Sequence, residues 1–222
     1  MKAFIFDLDG VITDTAELHF QAWQQCAHQI NISLDTTFND QLKGISRMES
    51  LERILIFGQK QQDFTEEEKV KLATEKNNYY IKLLSQLTPD HLLPGIHDLL
   101  ITIKKEGYKL GLASASKNAP TVLRALKIDD LFDAIADPNT VEKGKPAPDL
   151  FLKAASILEV SPAECIAIED AKSGIEAIIN AGMFSVGVGD PIYLQGADYI
   201  VKTTSDLSLK EMIDAWKVKI DK

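Results

Sequence analysis

Basic residues are few in this 222-residue chain: 24 lysines and arginines stand against 33 aspartates and glutamates, giving a formal net charge of -9. A negative protein repels phosphate backbones, so we expect no nucleic acid among its partners. The sequence also lacks any apolar run near the roughly 18 residues of a membrane span, and we expect no membrane contact. Hydrophobic residues make up 45% of the chain, which is enough for a substantial core.

Cysteine and histidine are also scarce. The two cysteines, Cys26 and Cys165, form no CxxC pair, and the four histidines show no zinc-type spacing. We therefore expect two buried, reduced thiols. The first apolar run is short and interrupted by Asp7 and Asp9, unlike the core of a signal peptide. These features predict a cytoplasmic protein, which we expect to act as a monomer.

Short apolar runs alternate with helical patterns over much of the chain. The strand-like runs are residues 2–6, 109–114, 165–169, 184–189 and 198–202. Such a pattern predicts the α/β class, with a Rossmann-like, doubly wound parallel sheet covered by helices on both faces. In sheets of this kind, ligands bind beyond the carboxyl ends of the strands.

Residues 16–88 have a different pattern. They contain three helical runs, at 17–30, 48–58 and 65–87, and no convincing strand. We interpret them as an α-helical cap domain inserted after the first strand, with residues 1–15 and 89–222 forming the core domain. The chain should cross back into the core between Pro89 and Pro94.

Two acidic pairs follow apolar strands. Asp7 and Asp9 come after the first strand, beside Gly10, which permits a tight turn next to a ligand. Glu169 and Asp170 end the run at 165–169, where they could equally cap a helix. If the two strands are neighbours, all four carboxyl groups meet at one edge of the sheet. Such a cluster needs a cation, and hard oxygen ligands without imidazole favour Mg²⁺.

Candidate anion donors follow two other segments. Ser114 ends a strand and precedes a helix near Asn118, which suits either an anion site or an ordinary helix cap. Lys145 lies in GKPAPD, where the prolines fix the loop and would hold the lysine in place; the less favoured alternative is a solvated lysine. Together these groups suit phosphoryl transfer: a carboxylate attacks phosphorus, cations and donors neutralise its oxygens, and a second carboxylate moves the proton.

Four motifs in this order resemble those of the haloacid dehalogenase (HAD) superfamily. They are FDLDGVITDT, the serine-ended strand LASAS, the lysine loop GKPAPD and the acidic pair of IED. The resemblance covers the whole chain, including the cap after the first motif. It implies that Asp7 is the nucleophile, that Asp9 is the general acid and base, and that Mg²⁺ is held by Asp7, the backbone carbonyl of Asp9 and Asp170, with Glu169 in support.

Finer features resemble the members that interconvert β-glucose 1-phosphate and glucose 6-phosphate through a phospho-aspartate and β-glucose 1,6-bisphosphate. The implied substrate- and phosphate-binding residues are Thr15, His19, Trp23, Leu42, Lys43, Gly44, Ile45, Ser46, Arg47, Ser114, Ala115, Ser116, Lys117, Asn118 and Lys145. Arg47 and Lys117 with Asn118 are expected to bind the non-reacting phosphate. The expected partners are therefore small sugar phosphates.

Two other functions stay open from the sequence. A HAD-type sugar-phosphate phosphatase would use the same Asp7 and Asp9, with water as the acceptor. A regulatory module that binds phosphate and Mg²⁺ without turnover would not need both aspartates together with Lys145. A dehalogenase is disfavoured, because that chemistry does not need the second aspartate or a metal cluster.

Overall fold

A six-stranded, fully parallel sheet forms the centre of the computed structural model, which describes residues 1–42 and 45–220. The strands are β1 Ala3–Phe6, β2 Lys109–Leu112, β3 Ala134–Ile135, β4 Cys165–Glu169, β5 Phe184–Val188 and β6 Tyr199–Val201. They lie in the order β3-β2-β1-β4-β5-β6, so β1 is flanked by β2 and β4. The predicted α/β class with a doubly wound parallel sheet is confirmed.

Helices connect the strands and cover the sheet. Within the described residues they are α1 Ala16–Gln29, α2 Arg47–Phe57, α3 Glu66–Leu84, α4 Ile96–Lys105, α5 Ala119–Ala125, α6 Asp149–Ile157, α7 Lys172–Asn180 and α8 Leu209–Ile220. Short 3-10 helices lie at Thr36–Leu42, Pro89–His91, Asp129–Leu131, Pro138–Thr140, Pro162–Glu164 and Thr204–Asp206.

The two faces of the sheet are buried by different helices. On one face, Phe4 and Phe6 of β1 pack in a cluster with apolar side chains of α4, α5 and α8. On the other face, Ala3 and Ile5 pack with apolar side chains of α6 and α7. Because alternate residues of a strand point to opposite faces, β1 is apolar throughout and fully buried. A rigid, buried β1 gives the residues that follow it a fixed position.

Helices α1, α2 and α3 share a third apolar cluster that includes Trp23, Leu51, Ile54 and Ala73. The Ser46 side chain caps α2 by accepting from the Glu49 amide. The chain enters this region after Thr13 and leaves it near Leu92, and these two residues form an isolated antiparallel bridge. The entry and the exit therefore lie side by side, while the exact division of the chain into core and cap stays a prediction.

Both cysteines, Cys26 and Cys165, are buried free thiols. Among the described residues, no helix combines the length and apolar character needed to cross a membrane.

Candidate active site

The chain turns sharply after β1 and places two aspartates at the carboxyl edge of the sheet. Asp7 continues the pairing with β4, since its amide donates to the Ile168 carbonyl at 3.0 Å. Gly10 then adopts a φ of +82°, and its amide donates to the Thr13 carbonyl at 2.8 Å. Asp7 is 4% exposed, whereas the side chain of Asp9 is 25% exposed and faces the cleft.

Strand β4 brings the second acidic pair to the same edge. Phe6 pairs with Ile168, so Asp7 and Glu169 are the next residues on adjacent strands. The condition set by the sequence, that the two strands be neighbours, is met. Carboxylate oxygens of Asp7, Glu169 and Asp170 lie within 4.8 Å of one another.

Lys145 contacts two of these carboxylates. Its Nζ donates to Asp7 Oδ1 at 2.6 Å and to Glu169 Oε1 at 2.8 Å, and its side chain is fully buried. Burial opposes the charge of this lysine, but attraction to Asp7 and Glu169 raises its pKa overall. The interpretation of Lys145 as a solvated surface residue is excluded.

Glu169 is occupied on both oxygens. Oε1 accepts from Lys145, and Oε2 accepts from the amides of Asp170 and Ala171, each at 2.7 Å. A Cβ on Gly174 would lie 1.8 Å from Glu169 Oε1, so only glycine in α7 leaves room for this side chain. Glu169 therefore holds Lys145 and the start of the following loop in place.

Asp170 packs against the turn after β1. A Cβ on Gly10 would lie 2.1 Å from Asp170 Oδ2, so the glycine allows the two segments to approach closely. The positive φ and this contact both require glycine at position 10. The turn after β1 and the end of β4 thus form one compact acidic corner.

The charge state of this corner fits a divalent cation. Burial raises the pKa of Asp7 to about 7, with Lys145 opposing the rise and Glu169 adding to it. Burial, reinforced by the charge of Asp7, raises the pKa of Asp9 to about 8, and its buried Oδ1 has no hydrogen-bond partner among the described residues. An all-oxygen site with excess negative charge suits a hard cation.

A cleft of about 660 Å³ opens above the two aspartates, lined from both the sheet and the helices of residues 16–84. Among the predicted residues that line it are Asp7, Asp9, His19, Trp23, Leu42, Ile45, Ser46, Arg47, Ala115, Ser116, Lys117 and Asp170. Lys43 and Gly44 lie outside the described residues. Thr15 is buried at the start of α1, where its carbonyl accepts from the His19 amide at 2.9 Å.

The loop after β2 differs in detail from the prediction. The strand ends at Leu112, so Ser114 lies two residues beyond it. The Ser114 hydroxyl accepts from the Ser116 amide at 3.1 Å, and the Ser116 hydroxyl accepts from the Asn118 amide at 3.3 Å. These two amides are therefore engaged by neighbouring side chains in this structure. Asn118 precedes α5, but its side chain does not cap the helix.

Lys76 is a site residue that the sequence analysis missed. It is 2% exposed on α3, and its Nζ lies 2.7 Å from His19 Nδ1 and 4.7 Å from the Trp23 ring centroid. The feature of the sequence that could have identified it is a lysine on the buried face of α3, between Ala73 and Tyr80. A protonated lysine can only donate, so it favours the His19 tautomer that accepts at Nδ1 and directs Nε2–H towards Asp9.

His19 is held neutral between these partners. Its ring stacks on Tyr80, with centroids 3.8 Å apart, and its Nε2 lies 4.0 Å from Asp9 Oδ2. Burial, followed by the charges of Lys76 and Arg47, lowers its pKa well below the usual value. His19 therefore faces Asp9 as a neutral donor, at a distance longer than a hydrogen bond.

Replacing Lys76 with methionine is expected to stabilise the metal-free protein. Burial, followed by the charge of Arg47, lowers the pKa of Lys76 to about 7 from its usual value of 10.5. The unfolded chain keeps that proton to higher pH. The free-energy cost of burying the charged lysine is therefore greatest below pH 7 and disappears towards about pH 10. We expect a gain of roughly 2–5 kcal/mol at pH 6 that shrinks as the pH rises.

Urea unfolding of the metal-free protein at several pH values measures this effect. Lys71→Met is the matched control, since Lys71 lies on the same helix but is exposed. A Lys76→Met gain that stays constant from pH 6 to pH 10 contradicts the assignment.

Comparison with known proteins identifies the family and the fold. A family model for the haloacid dehalogenase-like hydrolases matches residues 1–182, and the chain belongs to this family. Within it, the chain is 58% identical over 217 residues to the "Beta-phosphoglucomutase" of Bacillus subtilis (strain 168), covering 98% of this chain and 96% of that protein. The resemblance expected from the four motifs is confirmed.

A solved structure and a more distant relative complete the comparison. The crystal structure of beta-phosphoglucomutase from Clostridium difficile superposes with a TM-score of 0.98 at 52% identity, with both chains fully covered. The "Phosphorylated carbohydrates phosphatase" of Thermotoga maritima is 30% identical, covering 96% of this chain and 100% of that protein. The identities of 58% and 52% to these two beta-phosphoglucomutases exceed the 30% identity to this phosphatase.

Proposed function

We propose that this chain is a β-phosphoglucomutase, an isomerase that interconverts β-glucose 1-phosphate and glucose 6-phosphate. The observation that carries the proposal is the near full-length, 58% identity to a protein of that name. The phosphatase alternative has less support, since relatives named as phosphatases, such as those of Thermotoga maritima at 30% and Escherichia coli at 31%, are much less similar to this chain.

The arrangement of the cleft supports a mutase in a second way. Asp7 and Asp9 line it beside the sheet, and Arg47, Ser116 and Lys117 supply a second group of phosphate donors in the same cleft. A mutase must bind a sugar bisphosphate at both phosphates, whereas hydrolysis needs only the reacting one. This second group is the non-reacting phosphate site that we propose, together with Asn118.

We propose that Asp7 and Asp9 divide the chemistry between them. An Asp7 oxygen attacks the phosphorus of β-glucose 1,6-bisphosphate, and the bond from phosphorus to the sugar oxygen breaks. Asp9 gives its proton to that leaving oxygen. The reverse step begins when Asp9 takes the proton from a hydroxyl of the other monophosphate, whose oxygen then attacks phospho-Asp7. A pKa of about 8 for Asp9 suits a group that both gives and accepts a proton near neutrality.

The residues of the acidic corner fit a divalent cation, and we propose Mg²⁺. Asp7, Asp170 and the backbone carbonyl of Asp9 would hold it, and the ion would supply positive charge to the oxygens of the transferred phosphoryl group. Glu169, whose oxygens are already engaged by Lys145 and two amides, acts as support. Lys145 places a second positive charge 2.6 Å from Asp7 Oδ1.

The helices over the cleft are proposed to couple sugar binding to Asp9. The 4.0 Å gap between His19 Nε2 and Asp9 Oδ2 is too long for a hydrogen bond. A small shift of α1 towards the sheet would close it. Closure around a sugar would place Asp9 so that it activates a sugar hydroxyl and not a water molecule. The residues that we propose as sugar contacts, or as supports of those contacts, are Thr15, Trp23, Leu42, Lys43, Gly44, Ile45 and Ser46.

The anomeric preference tests this function. With a trace of β-glucose 1,6-bisphosphate and Mg²⁺, β-glucose 1-phosphate should be converted to glucose 6-phosphate, whereas the α anomer should serve as the matched control and stay unconverted. A coupled assay for glucose 6-phosphate, with inorganic phosphate measured in parallel, gives both rates. Inorganic phosphate as the main product would identify a phosphatase, and the absence of both products would favour a module without turnover.

Two further predictions accompany this proposal. The substrates are small sugar phosphates, and we expect a cytoplasmic monomer. Sedimentation of the purified protein with and without Mg²⁺ measures its oligomeric state.

A further inference from the structure

A side-chain amide joins two donors that come from distant parts of the chain. Asn77 lies on α3 and is half-buried. Its Oδ1 accepts from Arg47 Nη2 at 2.7 Å and from Asn118 Nδ2 at 2.8 Å. Arg47 is the first residue of α2, whereas Asn118 lies after β2 at the start of α5. One oxygen atom therefore fixes the separation of two donors that no single element holds.

These two donors both belong to the proposed site for the non-reacting phosphate. Each has further hydrogens: a guanidinium carries five N–H groups and a primary amide carries two. One hydrogen of each can stay on Asn77 while others reach a phosphate oxygen. Among the described residues, Arg47 and Lys117, the neighbour of Asn118, line the cleft, whereas Asn77 and Asn118 do not. Asn77 thus acts through its neighbours and has no direct contact with the cleft.

The charge of the bridging group also matters. A carboxylate at this position would bind Arg47 more strongly, but it would neutralise the guanidinium and repel a phosphate. An apolar residue would leave the long Arg47 side chain to be ordered only when the phosphate binds. A neutral amide is the acceptor that orders both donors and keeps the positive charge of Arg47 available.

We propose that Asn77 is a positioning residue for the non-reacting phosphate of the sugar bisphosphate. Its side-chain oxygen aligns Arg47 with Asn118, and its neutrality leaves the charge of Arg47 for the ligand. This inference rests on the proposed function, since it concerns the second phosphate that a mutase must hold.

Two substitutions at Asn77 test alignment and neutrality separately. For Asn77→Ala we expect the KM for β-glucose 1,6-bisphosphate to rise about 3- to 10-fold. For Asn77→Asp we expect a rise of about 10- to 100-fold, because the new carboxylate competes with the phosphate. The kcat at saturating bisphosphate should change less than the KM in both variants, since the reacting groups are untouched. A loss of structure would instead lower kcat in proportion to the fraction unfolded.

Asn78 supplies matched controls. It is the next residue on α3 and is exposed, so Asn78→Ala and Asn78→Asp make the same chemical changes away from the bridge. We expect both controls to keep the parental KM within about twofold. Thermal melting of all four variants checks that they are folded at the assay temperature.

The outcomes separate the inference from the proposed function. If the unaltered protein makes glucose 6-phosphate but both Asn77 variants keep its KM, the positioning role is overturned and the function stands. An Asn78→Asp defect equal to that of Asn77→Asp also overturns it, because the effect would then be general electrostatics. If the unaltered protein shows no mutase turnover, the proposed function itself fails.

Discussion

Replacing Asp9 with asparagine is expected to lower mutase turnover by about 10²–10⁴-fold, the usual contribution of general acid–base catalysis. The carboxamide is nearly the same size but can neither give nor take the proton of the sugar oxygen. The backbone carbonyl that we propose as a cation ligand is unchanged. Asp9 Oδ1 has no hydrogen-bond partner among the described residues, so the fold should lose little when this oxygen is exchanged.

The kcat for β-glucose 1-phosphate at saturating bisphosphate and Mg²⁺ measures the loss. Asp14→Asn is the control: Asp14 is exposed, and its charge contributes to the raised pKa of Asp9 without belonging to the cleft. It should change kcat by less than about threefold. An Asp9→Asn variant with a near-normal rate refutes the role of Asp9 as proton carrier.

Replacing Lys145 with methionine is expected to destabilise the metal-free protein by about 3–5 kcal/mol, because two buried carboxylates lose their shared cation. Asp7 and Glu169 each lie within 2.8 Å of Lys145 Nζ and would then face each other unneutralised. Removing Lys145, whose charge opposes the rise in the pKa of Asp7, raises that pKa further, so the loss of stability grows with pH until Asp7 ionises. Mutase activity should fall by about 10²-fold or more, as one charge beside the reacting phosphoryl group is removed.

Urea unfolding at pH 8, with and without Mg²⁺, measures the first effect. Added Mg²⁺ should stabilise the Lys145→Met variant more than the parent, since the ion would supply the missing positive charge. Lys143→Met, two residues earlier and exposed, should unfold like the parent. Equal stability of Lys145→Met and the parent without Mg²⁺ would show that the buried pair carries no such repulsion.

The strands that carry the chemistry were predictable because they are buried on both faces. An uninterrupted apolar run such as β1 or β4 is a strong signal, and the acidic residues after it stand out. Strand β3 was not predicted, since its two residues at the sheet edge are too short to form a pattern. Helix α4 was also missed, although Ile96, Leu99, Leu100 and Ile103 are spaced for one buried face.

The site itself was predictable only where a motif names its residues. Asp7, Lys145 and Glu169 stand in such motifs, and the structure brings them into contact. Lys76 and Asn77 lie within an otherwise ordinary helix pattern, and their roles depend on partners more than 25 residues away. A pattern in a single sequence depends only on residues that are close along the chain. It therefore cannot predict the contacts between α3 and the rest of the cleft.

The lack of space around Glu169 has an evolutionary consequence. Gly174 of α7 faces the Glu169 carboxylate so closely that a single methyl group would occupy the same volume. We therefore expect the glutamate and the glycine five positions later to change together among related sequences. Alanine at position 174 would displace the Glu169 side chain, and with it one of the two anchors of Lys145.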